Sequence, residues 1–388
     1  MEEYHKISER LKKRMFRKIP FNTISDQFSS LAIDLQRTGQ KHYTALSMLS
    51  AASCEISNKT PLKSAYFFVH AGRIFAQSAL QDEHETQYFD AEEFVCEALD
   101  AFVQAANVYE QQNEFSMCST LYYELGSTLE ILKRYEVAGD YFMKSFHFAS
   151  SHPTKPIPNS TEPSLRLSLG SQNQSTATRY SNQLMSTQVN SLKQAIHCYI
   201  LTKDFELVTK TTDTLIQTIQ QQLDQIQTQS NTFVSTQLNF HNATESLLQQ
   251  HFVYTCIVHL IVLLIQKRNQ EAKEALDTLV SWTHSNVDMD DDVDNYVNAA
   301  RKKNENCFLI VQSRRKQGPQ FAAFARDVLP LYQDLYEACI DNQVKFITLL
   351  IEEQLQHYAQ QEQSSLLDML RHVYENPLFM EAISTNQM

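Results

Sequence analysis

Only six glycines punctuate a chain of 388 residues, and they are scattered. A protein built of strands needs glycine at many of its turns, so this scarcity argues against an all-β fold. The nearest pair is Gly126 and Gly139, too far apart for a G-x-G-x-x-G turn or a phosphate-cradling P-loop. The nine prolines are equally uneven, with four of them between Pro153 and Pro163. Between these breaks the chain is rich enough in apolar (43%) and aromatic (10%) residues to build a core.

The apolar residues recur with the period of a helix. Ala98, Leu99, Phe102, Val103, Ala106 and Tyr109 fall at i, i+3 and i+4, one stripe of a helix surface. The same spacing predicts helices at about 2–18, 22–38, 41–57, 61–80, 88–111, 115–133, 136–149 and 184–202. Further ones are expected at about 205–228, 242–267, 270–284, 291–313, 320–340, 343–360 and 363–375. Connections as short as Gln112-Asn113-Glu114 and Lys133-Arg134-Tyr135 force neighbours to run antiparallel. The run Phe252–Ile265 is apolar on every side, which marks a helix buried between layers. At 14 residues it falls short of the ~20 that span a bilayer.

A helix-pair repeat is readable. Tyr122, Leu125 and Gly126, then Tyr135, Ala138 and Phe142, occupy the positions of a tetratricopeptide unit, where a small residue admits the facing aromatic. Ala98, Phe102 and Ala105 repeat the second half earlier, and Ala195, Tyr199, Phe205 and Val208 repeat it more loosely later. The expected fold is therefore all-α, a tetratricopeptide-like array of about 14–15 helices in antiparallel pairs. Three regions follow: an N-terminal array at 1–150, a Pro/Ser/Asn-rich mobile insert at 151–182, and a C-terminal array at 183–388. Within the last, a Gln-rich loop is expected near 223–240.

Charge is segregated. From Ile74 to Leu132 there is no Lys or Arg against twelve acids, as large a negative sum as the net charge of -12. Its first half holds Asp82, Glu83, Glu85, Asp90, Glu92 and Glu93, which are expected to face a basic partner. At the other pole Arg10, Lys12, Lys13, Arg14, Arg17 and Lys18, interleaved with Leu11, Met15 and Phe16, form a basic amphipathic helix suited to an acidic surface. Residues 1–20 sum to +4 and the remainder to -16, a balance that disfavours nucleic acid. A second basic pair of clusters, Arg301-Lys302-Lys303 and Arg314-Arg315-Lys316, reads as a solvated rim.

No catalytic constellation is legible, so the expectation is a non-enzymatic chain without cofactor or metal. The acids Asp288, Asp290, Asp291, Asp292 and Asp294 lack the Gly and Glu that close a calcium loop, because Val293 and Ala299 stand there. The thirteen histidines form no H-E-x-x-H, and Ser127 after Gly126 lacks the G-x-S-x-G frame. The seven cysteines include no C-x-x-C pair and fall in apolar helical patterns, as free thiols packed like small hydrophobes. Together with the absence of an apolar leader after Met1-Glu2-Glu3, they predict a soluble intracellular protein with no transmembrane segment.

Tyr4-His5-Lys6-Ile7-Ser8-Glu9-Arg10-Leu11-Lys12-Lys13-Arg14-Met15-Phe16-Arg17-Lys18 resembles the opening of the forty-kilodalton huntingtin-associated protein family, also called the factor VIII intron 22 protein family. Asp26-Gln27-Phe28, Thr202-Lys203-Asp204-Phe205, the apolar helix at 252–265, the Trp282 helix, Leu329-Pro330 and Leu349-Leu350 extend the resemblance over nearly the whole chain. It implies a tetratricopeptide-like, SNAP-like helical adaptor in a tight 1:1 complex with huntingtin, between its HEAT-repeat regions and a bridging domain. It also implies a link to early-endosome traffic through a Rab GTPase, with cytoplasmic, nuclear and early-endosome pools. The chain departs from the family in its Gln-rich rather than Pro-rich loop around 223–240, and in the length of its 151–182 insert. Two other readings share the fold: a SNAP-like membrane-fusion adaptor, which would carry an apolar N-terminal loop, and a generic tetratricopeptide interaction module.

Overall fold

The computed structural model describes residues 2–11, 20–84, 88–151, 166–230, 235–283 and 328–376, and every regular element within them is a helix. In chain order these are α1 (Glu2–Ser8), α2 (Phe21–Arg37), α3 (Lys41–Ser57), α4 (Pro61–His84), α5 (Tyr88–Gln111), α6 (Phe115–Ile131) and α7 (Tyr135–Ser150). Then follow α8 (Arg166–Thr202), α9 (Phe205–Ser230), α10 (Ser235–Ile265) and α11 (269–283). The last three are α12 (Leu329–Ile340), α13 (Val344–Glu353) and α14 (Gln361–Glu375). The all-α array expected from periodicity is what the chain adopts.

The turns explain how so few glycines suffice. Among the described residues seven helices end on a residue in the left-handed region, and only Gly39 among these is a glycine. The others are Lys59, Asn113, Lys133, Lys203, Lys267 and Asn342, with φ from 53° at Asn342 to 64° at Lys59. At each, the next residue's N–H reaches back five positions, as Gln40 to the Leu35 carbonyl (3.0 Å), Arg134 to Leu129 (2.8 Å) and Arg268 to Leu263 (2.9 Å). This is the Schellman closure, which satisfies carbonyls left over at the helix end and turns the chain back on itself. After one such turn the Asp204 carboxylate accepts from the Leu207 N–H at 3.0 Å and caps α9.

Three expectations need correction. The 151–182 segment was expected to be a mobile insert without helix, yet α8 begins at Arg166. The prolines that bar helix stop at Pro163, and Ser, Asn and Gln carry no such prohibition. The Gln-rich loop at 223–240 is likewise mostly helix, since α9 runs to Ser230 and α10 starts at Ser235. Buried Ile219, Leu223 and Ile226 keep the apolar stripe going beneath the glutamines. The helix expected over 343–360 is broken after Glu353, with a 3₁₀ turn at Leu355–His357. Of the basic first helix only Glu2–Ser8 and a 3₁₀ turn at Glu9–Leu11 are described. The helix at 291–313, the Asp288–Asp294 run and the clusters at 301–303 and 314–316 lie outside the described residues.

The chain divides into two compact units, Met1–Cys198 and Tyr199–Met388. The C-terminal part of α8 up to Cys198 belongs with the first unit because it is bonded to it. Ser119 and Ser145 donate to each other's carbonyls at 2.9 and 2.8 Å, which leaves Ser191 as donor to the Ser145 hydroxyl at 2.9 Å. The Gln188 amide donates to the Ala149 carbonyl at 3.1 Å.

Within the first unit each helix from α2 to α7 packs on the next. Two glycines set the closest approaches. A Cβ at Gly126 would lie 2.9 Å from the Phe142 ring, and one at Gly72 would lie 3.2 Å from the Phe102 ring. Small residue on the first helix, aromatic on the second is the repeat read from the sequence, with Gly72 as its unrecognised member. Near the start, α1 is held by Tyr4, whose hydroxyl is 2.9 Å from Ser50 Oγ and whose ring is 5.4 Å from Phe28. A buried carboxylate ties α2, α3 and α4 together: Glu55 accepts from Ser25 Oγ and Lys63 Nζ, both at 2.6 Å, and from Thr60 Oγ1. Burial alone would raise its pKa, but the bonds from Lys63, Ser25 and Thr60 outweigh that and hold it below the usual carboxylate value.

In the second unit α10 packs between α9 and α14. Every residue from Phe252 to Ile265 is buried, so the helix is core on all faces. Its 22-residue stretch Thr244–Ile265 is long and apolar enough to cross a membrane by composition, more than the 14-residue run suggested, and 78% of its most apolar window is buried inside the fold. The Trp282 ring of α11 packs at 4.9 Å from Phe252, the helix–helix anchor expected of the single tryptophan.

Candidate partner-binding surface

Two carboxylates of the acidic stretch are paired with its flanking cations. The cations that flank it fold back onto it: Arg73 grips Glu124 through Nε and Nη2 at 2.6 and 2.7 Å, and Arg134 reaches Glu92 at 2.6 Å. Glu92 and Glu93 are both exposed. Asp82 and Glu83 fall in the last turn of α4 and Asp90 in the first turn of α5, while their side chains, and Glu85 as a whole, lie outside the described residues. Of the basic set, Arg10 is exposed and donates to Gln27 Oε1 at 2.8 Å. Lys12, Lys13, Arg14, Arg17 and Lys18 lie outside the described residues. No described contact joins the basic set to the acidic one.

A groove that neither set predicted opens between α4 and α6. Tyr66, Val69, His70 and Arg73 recur at i, i+3, i+4 and i+7 along α4, and Met117, Thr120, Leu121 and Glu124 do the same along α6. Tyr109 of α5 completes the lining, and the hollow measures about 160 Å³. Val69, Leu121 and Tyr109 are buried, whereas Tyr66 and Met117 remain 54% and 47% exposed. The imidazole of His70 sits 4.3 Å from the Tyr66 ring. Burial lowers its pKa, Arg73 lowers it further, and Glu124 opposes them in part, so the ring is neutral at neutral pH. Leu62, one turn before Tyr66, is exposed too. The only signal for this groove in the sequence is the i, i+4 pair of large apolar residues on an otherwise polar face.

The second unit has a larger, acidic cleft of about 310 Å³ between α9, α10 and α11, lined by Asp213, Ile216, Cys256, His259, Glu271, Glu274, Ala275 and Thr278. His259 Nδ1 is 2.6 Å from Thr212 Oγ1, and its Nε2 is 3.4 Å from Asp213. Burial lowers the pKa of this histidine. The thiol beside it is inert, since burial pushes Cys256 up to about 12. Cys118, Cys198 and Cys339 are likewise pushed to about 12 and Cys54 to about 11, but Cys96 is exposed, contrary to the expectation of uniformly packed cysteines. Among the described residues no group of three or more His, Cys, Asp or Glu could hold a metal ion.

No protein-family model matches the chain, and no curated protein matches it.

Proposed function

We propose that this chain is a non-enzymatic adaptor that forms a tight, obligate 1:1 complex with huntingtin, packing between its HEAT-repeat regions and stabilising it. The identity of the partner rests on the resemblance of Tyr4–Lys18. The observation that carries the adaptor reading is the α4–α6 groove, where large apolar side chains stand half in solvent on a rigid helical array. A concave hollow edged by exposed apolar side chains is a feature that supports docking of a partner. Under the same reading the protein works in early-endosome traffic through a Rab GTPase, in the cytoplasm with nuclear and early-endosome pools.

A partner that binds only the folded form stabilises it by mass action. Depleting huntingtin from cells is therefore expected to shorten the half-life of this protein. An unchanged half-life, together with a monodisperse monomer that survives alone at micromolar concentration, sinks the obligate-complex reading.

A further inference from the structure

We infer that the stacked rings of Phe115 and Phe148, with the carboxylates of Glu110 and Glu114 beside them, dock an arginine side chain of a partner protein. The inference deepens the adaptor reading and rests on it, but needs no particular partner. The site is built on the turn from α5 into α6 and on the end of α7. Phe115 opens α6 and stacks on Phe148 of α7, with centroids 6.3 Å apart and planes 24° apart. Phe148 stacks in turn on Tyr122 (5.4 Å, 20°), and Tyr122 on Tyr141 (5.9 Å, 19°). Tyr122 is buried, whereas Phe115 and Phe148 are half-buried and keep part of their surface in solvent. The far end of this four-ring ladder already holds a cation, since Lys144 Nζ lies 4.4 Å from the Tyr141 centroid. No described cation lies over the Phe115–Phe148 end.

Charge decides what that open end takes. Glu114 immediately precedes Phe115, and Glu110 stands in the last turn of α5. Both are exposed, and neither carboxylate has a hydrogen bond or ion pair with a described residue. Their charges reach the ladder. Burial is the main reason the Cys118 thiol is pushed up, and Glu110 and Glu114 both push it further. At the Tyr122 hydroxyl burial leads again, and Glu110 adds to it. No cation opposes the acids at either group. Geometry then selects among cations. A guanidinium is flat, so it can lie on a half-open ring while its edge forks onto a carboxylate. An ammonium is a point charge and cannot present a plane to the ring. Two carboxylates felt by one thiol also repel each other, and a guanidinium between them removes that cost.

The test uses the purified full chain and three blocked amino acids, read by saturation-transfer difference NMR over a millimolar titration. Blocking the termini removes their charges. N-acetyl-arginine methylamide carries both plane and charge, its citrulline counterpart the plane alone, and its lysine counterpart the charge alone. The arginine probe is expected to bind, and the other two to bind about fivefold more weakly or worse. Glu110→Gln with Glu114→Gln should weaken the arginine probe about fivefold or more, and Phe148→Leu about threefold. The two glutamates are exposed, so the fold of the double variant persists, which circular dichroism checks. Glu353→Gln, at an exposed site on α13, should change nothing. Binding of the citrulline or lysine probe as tightly as the arginine probe overturns the inference. So does indifference to the loss of Glu110 and Glu114, or no binding of the arginine probe. Because the readout contains no huntingtin, its failure is separate from failure of the half-life test.

Discussion

Glu55 shows how a single buried charge can set the acid limit of a helical array. Its carboxylate is shut off from solvent, while its partner Lys63 is 46% exposed. The folded-state pKa lies below the ordinary 4.5, so the stability it contributes is present above that value and lost as pH falls through the folded value. Lys63 runs the opposite way: its pKa is raised chiefly by the bond to Glu55, so its contribution is full below 10.5 and lost as pH climbs past the folded value. Glu55→Gln should cost about 1–3 kcal/mol at neutral pH, the range for leaving buried donors poorly matched. The difference from wild type should close as pH drops below 4.5. Urea titrations from neutral pH down to pH ~3 read this directly; a gap that stays constant with pH overturns the account.

At the scale of helix pairs, the fit of a glycine under an aromatic ring decides the spacing. Gly126→Ala adds a methyl group 2.9 Å from the Phe142 ring. Alanine is the better helix former by ~1 kcal/mol. The overlap should still prevail, because overpacking a tight core costs ~1–3 kcal/mol. Combining it with Phe142→Leu should recover part of the loss, so the two changes together cost less than the sum of each alone. A strictly additive cycle refutes the clash. This pair was legible in the sequence because Tyr122, Gly126 and Phe142 lie within one helical hairpin. Gly72 was not, since only the Phe102 half of its pair was readable and the glycine lies a full long helix before it. The all-apolar face pattern of 252–265 and the Trp282 anchor were legible for the same local reason. The ion pairs Arg73–Glu124 and Arg134–Glu92 were not, since 51 and 42 residues separate their partners. A charge count along the chain sees one sign where the fold brings in the other. The α4–α6 groove was missed because its two stripes meet only once the helices pack.

Across the described residues of the molecule, the seven left-handed turns are the recurrent joint, and four of them carry lysine. A side chain in that conformation costs ~1–2 kcal/mol relative to the right-handed one, which glycine avoids. An ammonium group there also faces the negative end of a helix, worth ~0.3–1 kcal/mol at low ionic strength. The two effects oppose each other, and salt removes only the second. Replacing Lys59 and Lys133 together by Gly should therefore change stability little in dilute buffer and raise it by about 0.5 kcal/mol per site near 1 M salt. Thermal melts at the two salt concentrations check this, and an equal shift in both refutes it. The same four ammonium groups are exposed to reagents. Acetylation would strip their charge and keep the backbone strain, so an acetylated sample should melt lower, while reductive methylation, which keeps the charge, leaves the joints as they are.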